Sequence, residues 1–172
     1  ANVPIAAKIR LPDKNFYNVG NWSGAGLFGQ QLFNGGGKYI TLCEGEFDAA
    51  AAYQMQGSKY ACVSVRNGAG GALKDCKAAY EYLDSFEAII ICFDADEAGC
   101  KASKEVAELF SGKAAIVKHT GGHKDACDYL VANDIKGFTA AFWAAEKFVP
   151  DGIINGASLW DEVNRPVEKS AV

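Results

Sequence analysis

The chain has 172 residues, 49% of them hydrophobic, and a formal net charge of −4. That length fits one domain with appendages, and the apolar content excludes wholesale disorder. The negative balance argues against a protein that merely coats nucleic acid, while leaving room for a local basic strip.

Residues 1–36 open with two short strands, "AKIRL" and "FYNV", joined by the turn-rich Pro12-Asp13-Lys14-Asn15. Lys8 and Arg10 alternate along the first strand and so share a face, which is either an ordinary solvated face or a grip for nucleic acid. A glycine-heavy bridge, "GAGLFGQQLFNGGG", follows.

From residue 37 to 150 strands and helices alternate. Strands are expected at Tyr39–Cys43, Tyr60–Val65, Glu87–Phe93 and Ala114–Lys118. Helices are expected at Phe47–Gln56, Ala72–Leu83, Glu97–Phe110, Ala126–Asn133 and Gly137–Phe148. Continuously apolar strands interleaved with helices predict an α/β fold, a mostly parallel sheet of about four strands with helices on both faces. Residues 151–172 carry turn chemistry and a short helix with Leu159, Trp160 and Val163, capped by Ser158. That helix either folds back on the core or docks toward a further domain.

The six cysteines stand at 43, 62, 76, 92, 100 and 127 without a CxxC pair, which excludes a zinc ribbon and favours reduced thiols. No window approaches about eighteen consecutive apolar residues and no basic-then-apolar leader opens the chain, so neither membrane insertion nor secretion is expected.

The unusual polar residues all follow strands. They are Glu44 to Asp48, the loop Arg66-Asn67-Gly68-Ala69-Gly70-Gly71, Asp94 to Glu97, and His119 to Asp125. In an open parallel sheet all four stretches share the carboxyl rim, where ligands bind. Asp94 and Asp96 lie two apart and project to one side of an extended strand end, while Asp48 sits one turn into the helix after Glu44. Two carboxylates about 6 Å apart repel by roughly 3 kcal/mol at an effective dielectric near 20. Such a cluster is either diluted by water or holds a hard divalent cation. The glycine loop is either a phosphate seat at a helix N-terminus, with Arg66 beside it, or a tight turn. Lys124, adjoining Asp125, is the better candidate in its loop for touching a phosphate, and His119 and His123 are expected to be exposed.

These residues, in this order, resemble the Toprim domain shared by DnaG-type primases, topoisomerases and some nucleases. The carrying motifs are Glu44 within "CEGEFDA" and Asp94 and Asp96 within "FDADEAG". "GLFGQQLFNGGGKYITLCEGEFDAAAAYQMQG", "FDADEAGCKASKEVAEL" and "KDACDYL" extend the likeness to the primase half of the primase–helicases of T-seven-like bacteriophages. Cys100 stands where those relatives often carry arginine. The resemblance implies a Rossmann-like catalytic domain over 37–150, a partial amino-terminal primase subdomain over 1–36, and a linker or docking helix over 151–172. It implies that Glu44, Asp48, Asp94, Asp96 and Asp125 hold Mg²⁺ or Mn²⁺ and the incoming triphosphate. Lys8 and Lys14 would grip nucleotide and primer–template, with Arg10, Arg66 and Lys124 as further contacts. The implied partners are a single-stranded DNA template, ribonucleoside triphosphates and the RNA primer. The zinc-binding and ring-helicase modules would lie outside this chain, the full-length protein being a hexameric ring and this piece a monomer in the cytoplasm of an infected bacterium. A non-catalytic module of a ring helicase and a Toprim nuclease are the alternatives.

Overall fold

The computed structural model describes residues 3–13, 15–150, 152, 159, 160 and 164. Lys14 and the expected tail helix, apart from Leu159 and Trp160, lie outside the described residues. Strands β1 (Ala6–Arg10) and β2 (Phe16–Gly20) pair antiparallel and set Arg10 opposite Phe16. Their connector turns at Pro12-Asp13, where Asp13 accepts the Asn15 N–H at 3.1 Å.

The main sheet has the order β4-β3-β5-β6-β7. Its parallel strands are β3 (Tyr39–Cys43), β4 (Ala61–Ser64), β5 (Ala88–Cys92) and β6 (Ala114–Ile116). Alternate side chains feed two cores. Ile40, Leu42, Val63, Ile89 and Ile91 pack with α2 (Gly68–Ala78), α3 (Tyr80–Asp84) and α4 (Glu97–Leu109). Cys43, Cys62, Ile90 and Cys92 face α1 (Glu46–Met55), α5 (Ala126–Val131) and α6 (Ile135–Trp143). Burial on both faces is why these strands read as unbroken apolar runs. The alanines of α1, Ala49, Ala51 and Ala52, are buried against the second core, small enough to bring the helix close to the sheet. All six cysteines are free thiols, four of them buried.

The expected mostly parallel α/β sheet is present, with three differences in detail. A fifth strand, β7 (Glu146–Lys147), pairs antiparallel with β6, so the last helix stops at Trp143 instead of running to Phe148. Pairing wins because Phe148 donates its N–H to the Ala114 carbonyl at 3.0 Å and packs on the first core. The second helix begins at Gly68, inside the glycine loop, and breaks at Ala79. The exposed side of β4 is covered by a bridge from Phe28 to Ser64, which occupies an edge that would otherwise invite pairing. Among the described residues no helix is long and apolar enough to cross a membrane.

Candidate functional site

Strand order decides what meets at the rim. β3 and β5 are neighbours, with Cys43 and Cys92 in register, so Glu44 and the Phe93-Asp94 strand end emerge side by side. Residues 50 apart in the chain thus share one pocket.

Glu44 is anchored from one side only. Its Oε1 accepts the Ala69 N–H at 3.1 Å, while its Oε2 is buried and has no partner. Ala69 lies in the first turn of α2, so a helix N-terminus of the kind that seats phosphates holds the chain's own carboxylate here. Gly68 allows this with a φ of 62° and open space at its Cβ position up to Glu44, 3.6 Å away.

Asp94 is half-buried, and its carboxyl is pushed up to about 7 by burial, reinforced by the charges of Glu44, Asp48, Asp125 and Asp96. Four acidic groups from three separate segments therefore act on one carboxyl. Asp48 is also raised, by burial first and then by Asp125, although the Cys127 N–H donates to it at 3.1 Å. Asp96 and Asp125 cap α4 and α5, accepting the Gly99 and Asp128 N–H groups at 2.7 and 2.8 Å. Capping engages one oxygen of each, and among the described residues no hydrogen bond takes up the other. None of the ion pairs among the described residues involves Glu44, Asp48, Asp94, Asp96 or Asp125.

A group that sequence reasoning missed joins them. Ligand atoms of Asp48, Asp125 and Cys127 lie within 4.8 Å of one another. Burial and the Asp48 charge push the Cys127 thiol up to about 12, which keeps it protonated. Its position two residues past the Asp125 cap was the available signal. The carboxylates, with one buried oxygen lacking a partner, fit a hard divalent cation.

The basic residues behave differently from one another. Lys8 reaches Glu46 at 2.7 Å and the Arg66 carbonyl at 3.2 Å, which ties β1 to the start of α1. Arg10 is exposed and stands near the rings of Phe16 and Phe47. Lys124 is exposed, its backbone fixed by Ala95 and Asp128. Arg66 is turned inward: Nε gives one bond, Nη1 two and Nη2 one, to Asp75 and the carbonyls of Trp22 and Ala25. With four of its five donors spent, Arg66 serves mainly as a strut under the loop, which corrects its expected place at a phosphate. Asp75, fully buried, accepts from Arg66 and Asn67 and is the hidden partner that the sequence did not reveal. His119 is partly buried, with Nε2 donating to the Phe93 carbonyl at 2.9 Å, and His123 lies beside Tyr129 and Asp134. Both are packed into the rim, contrary to the expected exposure.

Comparison with known proteins agrees with this architecture. The Toprim-like family matches residues 41–130, the segment that carries the acidic cluster. A DNA helicase/primase of Enterobacteria phage T3 is 39% identical over 160 residues, covering 92% of this chain and 28% of that protein. The chain thus spans little more than a quarter of the curated relative it matches. A chain from the bacteriophage T7 lagging-strand DNA polymerase structure, in which the polymerase interacts with primase domains of two gp4 subunits bound to an RNA/DNA hybrid and dTTP, has a TM-score of 0.74 and 39% identity. That match covers 82% of this chain and 71% of the other. The primase fragment of the bacteriophage T7 primase-helicase gives 0.73 and 39% identity, covering 81% of this chain and 57% of the fragment. The Aquifex aeolicus primase, at 18% identity and a TM-score of 0.57, shares the fold over 84% of this chain. With sequence, sheet order and acidic rim in agreement, the chain belongs to the Toprim-like family and is similar over most of its length to phage primase domains.

Proposed function

We propose that this chain is the catalytic core of a replicative primase, joining ribonucleoside triphosphates into short RNA primers on a single-stranded DNA template. One observation carries the reading: the charges of Glu44, Asp48, Asp96 and Asp125 converge on Asp94, with none of the five paired to a protein cation among the described residues. The likeness to a phage helicase/primase and to T7 primase domains supports the reaction class. Glu44, Asp94, Asp96 and Asp125 would hold Mg²⁺ or Mn²⁺, with Asp48 shaping the same pocket. Divalent cations so held would activate the attacking 3′ hydroxyl and neutralise the triphosphate.

The chain's own residues do the positioning. Ala69 orients Glu44, Gly99 orients Asp96, and the Asp128 N–H orients Asp125. Lys8, Arg10, Lys14 and Lys124 supply positive charge for phosphates, giving a weak and salt-sensitive template grip. The zinc-binding and helicase modules belong to the rest of the protein, a hexameric ring in the cytoplasm of an infected bacterium, while this piece is a monomer by itself.

The test supplies the protein with single-stranded DNA, Mg²⁺, labelled ribonucleotides and a short oligoribonucleotide. Extension that disappears in Asp94→Asn and Glu44→Gln is the expected result. Equal extension by those variants rejects the site, and metal-dependent degradation of the DNA without extension supports the nuclease alternative.

A further inference from the structure

A groove of about 1060 Å³ opens between the β1–β2 hairpin and α1, lined by Lys8, Arg10, Phe16, Phe28 and Phe47 among others. Three of its aromatic residues are left about half in water. Phe47 is 62% exposed, Phe16 50% and Phe28 47%. Fully burying one such side chain stabilises a protein by about 1.5–3 kcal/mol, so three half-bare rings along one groove mark a binding surface. The cations are arranged around the rings. The Arg10 guanidinium carbon is 5.6 Å from the Phe16 centroid and 5.8 Å from the Phe47 centroid, and Lys8 Nζ is 4.7 Å from Phe16. Among the described residues Arg10 has no carboxylate partner.

We infer that Phe16 and Phe47, with Arg10 between them, form a stacking platform for an unpaired base of the single-stranded DNA template. Aromatic faces accept any base, and the neighbouring cations serve the adjacent phosphates. A duplex-binding groove would present a dense row of cations and no exposed rings, and the chain's net charge of −4 does not supply one. Placement fits as well. Phe47 precedes Asp48 in the first turn of α1, so the groove and the acidic cluster draw on the same helix end. Lys8 is tied to Glu46 in the same turn, which fixes the hairpin side of the groove against the pocket side. This assignment rests on the reading of the chain as acting on a single-stranded template, and it adds residues that hold the base instead of the phosphate.

Binding is measured without nucleotides, using a single-stranded oligonucleotide that carries 2-aminopurine, at several salt concentrations. Stacking on the platform quenches the probe. Phe47→Leu and Phe16→Leu are expected to weaken binding about tenfold each and to reduce quenching, with an unchanged slope against salt. Phe47→Trp is expected to restore both. Unaltered melting temperatures check the fold, as expected for substitutions at exposed rings. Binding within twofold of the parent in both leucine variants overturns the platform, as does an absence of single-strand binding by the parent. Primer extension run in parallel separates the two readings. Platform-dependent binding without any synthesis rejects the primase and keeps the platform. Synthesis with an unchanged template KM in both leucine variants does the reverse.

Discussion

Gly99 packs against the backbone of Asp94 so closely that a side chain there would strike the Asp94 carbonyl oxygen. The same glycine donates its N–H to Asp96 at 2.7 Å. One residue thus locks the end of β5 to the start of α4 and fixes the spacing of both aspartates. Gly99→Ala is expected to push the strand end outward, costing about 1–3 kcal/mol in denaturant unfolding. Mn²⁺ affinity, followed by electron paramagnetic resonance, should fall with it.

The raised carboxyl of Asp94 makes stability depend on pH in a direction opposite to that of a salt-bridged aspartate. Between the ordinary value of 3.8 and about 7 the unfolded chain has lost this proton while the folded protein keeps it. The folded state binds more protons, so this group's contribution to stability falls as pH rises through that window. Thermal melts without metal should show the decline, and Asp94→Asn should flatten it. Added Mg²⁺ or Mn²⁺ should raise the melting temperature more at about pH 8 than at about pH 5, because protons and cations compete for the same carboxylate.

Asp125 has two tasks that can be separated. Asp125→Asn keeps a side chain able to cap α5, whereas Asp125→Ala leaves the Asp128 N–H without its acceptor. The alanine variant should lose about 1 kcal/mol by chemical denaturation and the asparagine variant much less. Both remove a charge from the pocket, so calorimetric titration should find Mn²⁺ binding weakened in both.

Arg66 and Asp75 form an ion pair at 2.6 Å with side chains only 10% and 0% exposed. Removing one member of a buried pair leaves the other charge without compensation, at a cost of roughly 3–5 kcal/mol. Asp75→Ala is expected to show that loss in urea unfolding. Because Asp75 also accepts from the Arg66 and Asn67 N–H groups, the start of α2 should loosen, exposing those amides to faster hydrogen exchange. Melting and exchange indistinguishable from the parent would reject the strut role.

The parallel strands were legible because burial on both faces writes itself as an apolar run, as in Ile89-Ile90-Ile91. Asp96 and Asp125 were read from the sequence only as metal ligands, although helix starts select acceptor side chains and each caps the helix that follows it. The end of α6 was not legible, because nothing local distinguishes Glu146-Lys147 as a strand until β6 offers its edge. Arg66 was misjudged because a buried acid nine residues away, on one turn of a helix, is indistinguishable in sequence from a solvated one.

Local chemistry alone fixed which residues stand on the rim, since strand and helix periods are short-range properties of the chain. Their convergence was decided by the sheet order β4-β3-β5, which sets Glu44 beside Asp94 and places Ala69 where it can hold Glu44. The same folding step withdraws Asp94 from water and lets three charges distant in sequence, Glu44, Asp48 and Asp125, act on it, which no pattern of neighbouring residues encodes.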